Sequence, residues 1–118
     1  MTAGGLPKRG EVWLANLNPR QGTEPGKVRP VVVVQTDALT PFHTSTLVCP
    51  VTTKLVKTGS LLRVRLEKSE GGLQKHSDVM VDQIRAVDNS RLMRRTGELP
   101  HRRLNELREK LLTILDLL

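Results

Sequence analysis

The sequence predicts a small, mostly β domain with one amphipathic helix at its C-terminal end. Before Pro100, short segments rich in β-branched residues alternate with turns rich in Gly, Pro and Asn. After Pro100, the apolar residues change to helical spacing. The length of 118 residues suits one core, because two cores of half that size would each be marginally stable. We therefore expect a single domain over residues 1–118, with residues 1–8 as a flexible N-terminal tail.

Five or more short strands are expected, followed by two helical segments. The strands are predicted at residues 11–14, 31–34, 46–51, 62–66 and 79–84. The segment 31–34 is four valines without alternation, which indicates a central strand buried on both faces. The segment 62–66 alternates apolar and basic residues, so Arg63 and Arg65 are expected to face water.

The helical segments are predicted from caps and periodicity. A short helical turn is expected at residues 91–95, capped by residues 88–90 and ended by Gly97. The final helix begins near Pro100, and its apolar stripe contains Leu104, Leu107, Leu111, Ile114, Leu115 and Leu118.

Composition excludes several classes of protein and favours an anionic partner. The formal net charge is +7, which points to nucleic acid or an acidic protein segment. Aromatic residues make up 2% of the chain, so recognition of bases mainly by stacking is not expected. One cysteine excludes an internal disulfide, and with three scattered histidines no common zinc spacing is present. Without a signal peptide or a 20-residue apolar run, a cytoplasmic protein with no membrane contact is expected.

Two short segments carry groups suited to phosphate chemistry. The loop before the valine strand contains Glu24, Lys27 and Arg29, and Pro30 favours an extended backbone at Arg29. Arginine offers a planar fork of donors that matches a phosphate. The alternative is a surface ion pair between Glu24 and Arg29 that contributes little. Thr52 follows an apolar strand and can donate a hydroxyl to a phosphate oxygen, which by itself is a weak signal.

Several motifs in order along the chain resemble the MazF/PemK family of toxin–antitoxin ribonucleases. The N-terminal signature is carried by residues 9–13, 17–19, 22–24, Lys27 and 29–33. Cys49-Pro50-Val51-Thr52-Thr53 is similar to the family's C-P-x-T segment, residues 82–85 to its D-Q block, and Arg91-Leu92 to the stretch before its last helix.

This resemblance implies the fold, the activity and the partners. The implied fold is mainly β with small helices, an SH3-like β-barrel of the CcdB/PemK (MazF) toxin type, working as a homodimer. Family members cut single-stranded RNA at short sequences without a metal or other cofactor, leaving 2′,3′-cyclic phosphate and 5′-hydroxyl ends. A cognate antitoxin holds them inactive, and we expect an antitoxin with an acidic tail as a partner.

The resemblance also implies the site residues. Arg29 and Thr52 match catalytic positions, and Glu24 matches a loop acid implicated in some members. The residues expected to bind RNA are Lys27, Thr53, Lys54, Asp82, Gln83 and Arg85. In the Kid branch an arginine and an aspartate before the D-Q block are implicated; Met80 and Asp82 stand there, which favours the arrangement built on Arg29.

The chemistry needs three tasks, of which two have clear candidates. Arg29 can stabilise the charge on the phosphoryl oxygens and protonate the leaving 5′ oxygen, and Thr52 can bond a non-bridging oxygen. The base that takes the 2′-hydroxyl proton is Glu24 or a residue not assigned, because arginine stays protonated.

Other readings of the same residues remain open. A CcdB-like inhibitor of DNA gyrase would share the barrel without catalysis, and a non-catalytic nucleic-acid-binding barrel would need only the basic surface. The basic residues of 85–110 either follow an RNA backbone or form a solvated face. Cys49 and Trp13 are expected in the core, and His43, His76 and His101 on the surface.

Overall fold

Seven antiparallel strands and one helix make up the part of the chain that this computed structural model describes, residues 5–18, 22–23 and 27–117. The strands are β1 (Glu11–Asn16), β2 (Val28–Val33), β3 (Ser45–Thr52), β4 (Arg63–Leu66), β5 (Ser77–Met80), β6 (Arg85–Asp88) and β7 (Leu92–Glu98). The helix α1 is His101–Ile114. Single turns of 3₁₀-helix lie at Thr40–Phe42, Glu70–Gly72, Val81–Gln83 and Asn89–Arg91.

The strands pair in the order β4–β5–β3–β2–β1–β7, and β6 pairs with β3 beside β5. The long strand β3 therefore has three neighbours: β6 along its first half, β2 along its middle and β5 at its end. Every pairing is antiparallel. This confirms the predicted mainly-β class with a C-terminal helix, and it confirms β2 as an interior strand.

The two faces of β2 pack into two separate clusters. Val32 lies in a cluster with Val12, Cys49 and Leu107, the last from α1. Val31 and Val33 lie in the other cluster, around Trp13, Leu17 and Leu92. Because successive side chains of a strand point to opposite faces, only a strand covered on both sides can bury three consecutive valines.

Two predicted elements are wrong, because strand pairing with distant residues differs from what the local sequence patterns indicate. Residues 91–95 were expected to be helical, but residues 92–98 form β7, because β1 offers its free edge and their backbone pairs along it. The capped turn lies earlier, at Asn89–Arg91, where the Asp88 carboxylate accepts a hydrogen bond from the Ser90 amide. The predicted strand 79–84 is interrupted after Met80 by the turn Val81–Gln83, and the chain then enters β6.

The expected orientation of β4 needs a correction as well. Arg63 and Arg65 do lie on one face, but their side chains are only 23% and 25% exposed. Both contact the buried carboxylate of Asp78 on the neighbouring β5, so this face is covered.

Helix α1 packs against the core through the middle of its predicted apolar stripe. Leu107 is fully buried, and Leu111 and Ile114 are partly buried against the same cluster. Glu106 and Lys110 form the expected pair at 3.1 Å. Leu115 falls beyond the helix and is exposed, and Leu118 lies outside the described residues. No helix among the described residues is long and apolar enough to cross a membrane.

Candidate active site

Arg29 and Thr52 are brought together by the register of two neighbouring strands. The pairs Val31–Pro50, Val32–Cys49 and Val33–Val48 fix the alignment of β2 with β3. Continued to the ends of both strands, this register puts Arg29 opposite Thr52. The Arg29 guanidinium donates to the Val51 carbonyl at 3.4 Å, so it reaches across to the strand that carries Thr52.

Thr52 ends β3, and its hydroxyl is oriented by the chain that follows. Its Oγ1 accepts a hydrogen bond from the Lys54 amide at 3.1 Å. A threonine hydroxyl has a single hydrogen to donate, and accepting this bond leaves that hydrogen for another acceptor. The residue is half-buried, so an incoming phosphate oxygen can reach it.

Lys27 stands at the base of the loop before β2. Its backbone lies in the left-handed region, with φ of 56°. Its carbonyl accepts from the Leu17 amide at 2.9 Å, and its amide donates to the Asn18 side chain. These bonds close the base of the loop and leave the Lys27 side chain exposed. Glu24, expected as the catalytic base in the same loop, lies outside the described residues.

The remaining predicted RNA-binding residues fall into two places. Thr53 and Lys54 follow Thr52 directly and are exposed. Asp82 and Gln83 lie in the turn between β5 and β6, and Arg85 pairs with Val48 on β3. That turn flanks the middle of β3, so the D-Q block lies beside Cys49 and Pro50.

An open cavity of about 400 Å³ adjoins Thr52. It is lined by residues of β1, β2, β7 and the end of β3, together with the 72–77 segment. Its lining contains two cations and, among the described residues, no acid: Leu14, Pro30, Val51, Thr52, Thr53, Gly72, Leu73, Gln74, Lys75, Ser77, Arg94 and Thr96. A volume of this size is in the range of small-ligand sites.

Four polar residues of this cavity were not predicted from the sequence: Gln74, Lys75, Ser77 and Thr96. Arg94 was expected only as one of the basic residues of 85–110 that could follow an RNA backbone. Arg94 and Thr96 reach the cavity because β7 pairs with β1, where the sequence indicated a helical turn. A correct assignment of β7 is the signal that would have found them.

Cys49 and Trp13 occupy the predicted core positions. Burial raises the pKa of the Cys49 thiol to about 12, with a smaller contribution from the negative charge of Asp82. The Trp13 indole is buried and donates to Glu11. His43, His76 and His101 are exposed. Within the described ranges, no group of three or more His, Cys, Asp or Glu side chains is placed to hold a metal ion.

Comparison with known proteins gives matches over nearly the whole chain. Residues 8–115 match the family described as "PemK-like, MazF-like toxin of type II toxin-antitoxin system". A curated protein of Staphylococcus saprophyticus named "Endoribonuclease MazF" is 35% identical over 101 residues, which cover 86% of this chain and 84% of that protein.

Solved structures give the same result. The crystal structure of MazF (Form-I) from Deinococcus radiodurans has a TM-score of 0.80 at 29% identity, covering 95% of this chain and 98% of that one. A MazE–MazF structure (Form-II) from the same organism has a TM-score of 0.75 at 25% identity, covering 94% and 96%.

Proposed function

Because the chain belongs to the PemK-like, MazF-like toxins of type II toxin–antitoxin systems and is an endoribonuclease of that family, we propose that it cuts single-stranded RNA with Arg29 and Thr52 as catalytic residues. The substrate is cut at a short sequence, by attack of the 2′-hydroxyl on the adjacent phosphorus. The products carry a 2′,3′-cyclic phosphate and a 5′-hydroxyl. The reaction uses no metal or other cofactor.

The observation that carries this proposal is the contact of the Arg29 guanidinium with the Val51 carbonyl, next to Thr52 at the end of β3 and beside the cavity. The guanidinium stabilises the negative charge that grows on the non-bridging oxygens. The Thr52 hydroxyl, held by the Lys54 amide, donates its hydrogen to one of the same oxygens. Arg29 also delivers the proton to the leaving 5′ alkoxide, which is a stronger base than neutral guanidine, and regains a proton from solvent after the cut. Glu24 is the candidate for the base that accepts the 2′-hydroxyl proton.

The cavity supports the binding of the chain around the cut. Lys75 and Arg94 place two positive charges in its lining, where the described residues include no acid. Thr53 lines the same cavity, and we assign the exposed side chains of Lys54 and Lys27 to the RNA backbone as well. The proposed role of Asp82, Gln83 and Arg85 is to contact RNA that runs along β3 past the D-Q block.

Two protein partners follow from the family and from the surface. The net charge of +7 attracts an acidic antitoxin tail, which would compete with RNA for the same cations. A second copy of the chain would cover exposed apolar side chains, of which Phe42 is 84% exposed. The homodimer predicts a solution mass of twice 13.2 kDa. A free, buried Cys49 is compatible with the cytoplasm, where we place the reaction.

The test is cleavage of a long single-stranded RNA in the presence of EDTA. The purified protein should cut it, and mapping of both ends should give the recognition sequence and the cyclic phosphate. Arg29→Ala should lower the cleavage rate by about 100- to 1,000-fold, the usual loss when one donor to a developing oxyanion is removed. Thr52→Val should also lower the cleavage rate, because it removes the hydroxyl that donates to a non-bridging oxygen.

Two variants serve as matched controls. Arg108→Ala removes an arginine that is exposed on α1, and Thr113→Val removes an exposed hydroxyl on the same helix, which donates to the Glu109 carbonyl. Both should cleave at the rate of the unaltered protein. RNA that stays intact while DNA gyrase is inhibited would support the gyrase-binding alternative, and undiminished cleavage by Arg29→Ala would remove the residue assignment.

A further inference from the structure

The segment that follows Thr52 is exposed and irregular. Residues 53–62 form neither strand nor helix and connect β3 to β4. Leu55 and Val56 are 46% and 39% exposed, and Leu61 and Leu62 are also exposed. Four exposed apolar side chains within eight residues form a patch of the kind that marks interaction sites. We name residues 53–62 the β3–β4 segment.

The backbone of this segment is nevertheless held firmly from one side. The Val56 amide donates to Asp78 Oδ2 at 3.0 Å. The Lys54 carbonyl accepts from Arg63 at 3.1 Å, and the Val56 carbonyl accepts from Arg65. At the far end, Lys110 of α1 donates to the Ser60 carbonyl at 2.9 Å.

Asp78 is the centre of these contacts. Its side chain is 1% exposed, and its two oxygens bind Arg65 Nε at 2.6 Å and Arg63 Nη1 at 3.3 Å. One buried carboxylate thus orients both guanidinium groups that hold the segment. We call Asp78, Arg63 and Arg65 the Asp78 clamp.

Stability alone is a poor reason for this arrangement. Removing a carboxylate from water is costly, and well-packed apolar residues in place of a buried ion pair often stabilise a protein equally well or better. What an ion pair with directed hydrogen bonds adds is a defined geometry. Here that geometry is imposed on the backbone between Thr52 and β4.

We propose that Asp78 is a positioning residue, which fixes the β3–β4 segment as a preformed surface for the nucleotides that flank the bond cut at Thr52. The register of β3 with β5 places Asp78 directly opposite Thr52, so the clamp and the catalytic hydroxyl share one pair of strands. The exposed side chains of Leu55 and Val56 then face the RNA, and their fixed position discriminates among bases. This inference rests on the proposed function, because it assumes that RNA is cut at Thr52.

The test measures both the sequence selectivity of cleavage and the local order of the β3–β4 segment. Asp78→Asn keeps the shape of the side chain but removes its charge. We expect the ratio of cleavage rates, between the preferred sequence and a sequence altered at one flanking base, to fall at least tenfold. Hydrogen exchange at the Val56 amide should become at least tenfold faster. Partial unfolding alone lowers both cleavage rates equally and leaves their ratio unchanged.

The matched control is Glu11→Gln. Glu11 is also largely buried, at 12% exposure, and binds an arginine and a backbone amide, but its bonds go to Lys8, Trp13 and Arg95. It should leave the cleavage ratio unchanged. A ratio that stays within twofold in a folded Asp78→Asn variant would overturn the proposal, as would unchanged exchange at Val56.

Arg65→Lys decides the matter if Asp78→Asn does not fold. Lysine keeps the positive charge beside Asp78 but lacks the fork that also reaches the Val56 carbonyl. The same fall in the cleavage ratio is expected, and an unchanged ratio contradicts the proposal. Arg29→Ala tests the proposed function separately, since its prediction concerns the rate at every sequence rather than the ratio between two.

Discussion

Replacement of Gly72 by alanine should destabilise the protein through two separate effects. Gly72 has φ of +76°, and a Cβ atom there would lie 2.1 Å from the Thr96 carbonyl oxygen of β7. The left-handed backbone costs a non-glycine residue about 1–2 kcal/mol. The clash with a backbone atom costs about 1–3 kcal/mol more, because no side chain can rotate away. We expect a total loss of about 2–5 kcal/mol in the free energy of unfolding.

Gly59→Ala separates the two effects. Gly59 has φ of +89°, but nothing lies within 4 Å of a Cβ atom built there. It should therefore lose only the backbone contribution of about 1–2 kcal/mol. The difference between the two variants measures the close approach of the 70–72 turn to β7.

The assay is urea unfolding followed by the fluorescence of Trp13, which is fully buried and is the only tryptophan. The midpoint should fall in both variants, and further in Gly72→Ala, with an unchanged slope. Equal midpoints for the two variants would refute the reasoning, because they would mean that β7 does not lie against the turn. Gly72 also lines the cavity, so the Gly72→Ala variant should cut RNA more slowly where it is still folded.

Two further predictions concern titratable groups. Cys49 should not react with iodoacetamide at neutral pH until the protein is unfolded, since it is buried and its pKa is raised to about 12; labelling of the folded protein, detected by mass spectrometry, would contradict this. Burial opposes the ionisation of Glu70, but the Glu67 amide and then Arg103 and Arg102 outweigh it, and its pKa lies below the usual 4.5. The stabilisation from ionised Glu70 is complete above pH 4.5 and is lost as pH falls through the lower pKa of Glu70 in the folded protein. Glu70→Gln should therefore flatten the decline of the urea midpoint below pH 4.5.

Local sequence patterns were sufficient for the elements whose character is set within a few residues. Four consecutive valines require a strand with two covered faces, and that is the position of β2. The 3.6-residue period after Pro100 is likewise a local signal. Residues 91–95 carry a weaker pattern, and the partner that makes them extended is β1, some 80 residues earlier, as when Trp13 pairs with Arg95. A single sequence contains no direct record of such a pairing.

The candidate site likewise contains residues that local sequence patterns predict and residues that they do not. The motif resemblance predicts Arg29 and Thr52, and the structure places the Arg29 guanidinium against the strand that carries Thr52. Asp78 is not predicted in this way, because an acid in a strand reads as a solvent-facing residue until Arg63 and Arg65 are placed on the neighbouring strand. The expectation that these two arginines face water failed for the same reason: the partner that covers them lies on a different strand.

Some of the positive side chains are paired with acids, and others are left to attract an anion. On α1, where the basic residues 102–110 suggested an RNA-binding face, four cations contact glutamates: Arg102, Arg103, Arg108 and Lys110. Lys75 and Arg94, which line the cavity, have no acidic partner in the described part of the chain. A phosphate that approaches α1 meets charges that are already largely balanced, whereas one that approaches Thr52 meets charges that are not. Since attraction depends on the local sum of charges, we expect this difference to direct the RNA backbone of the proposed substrate across the end of β3.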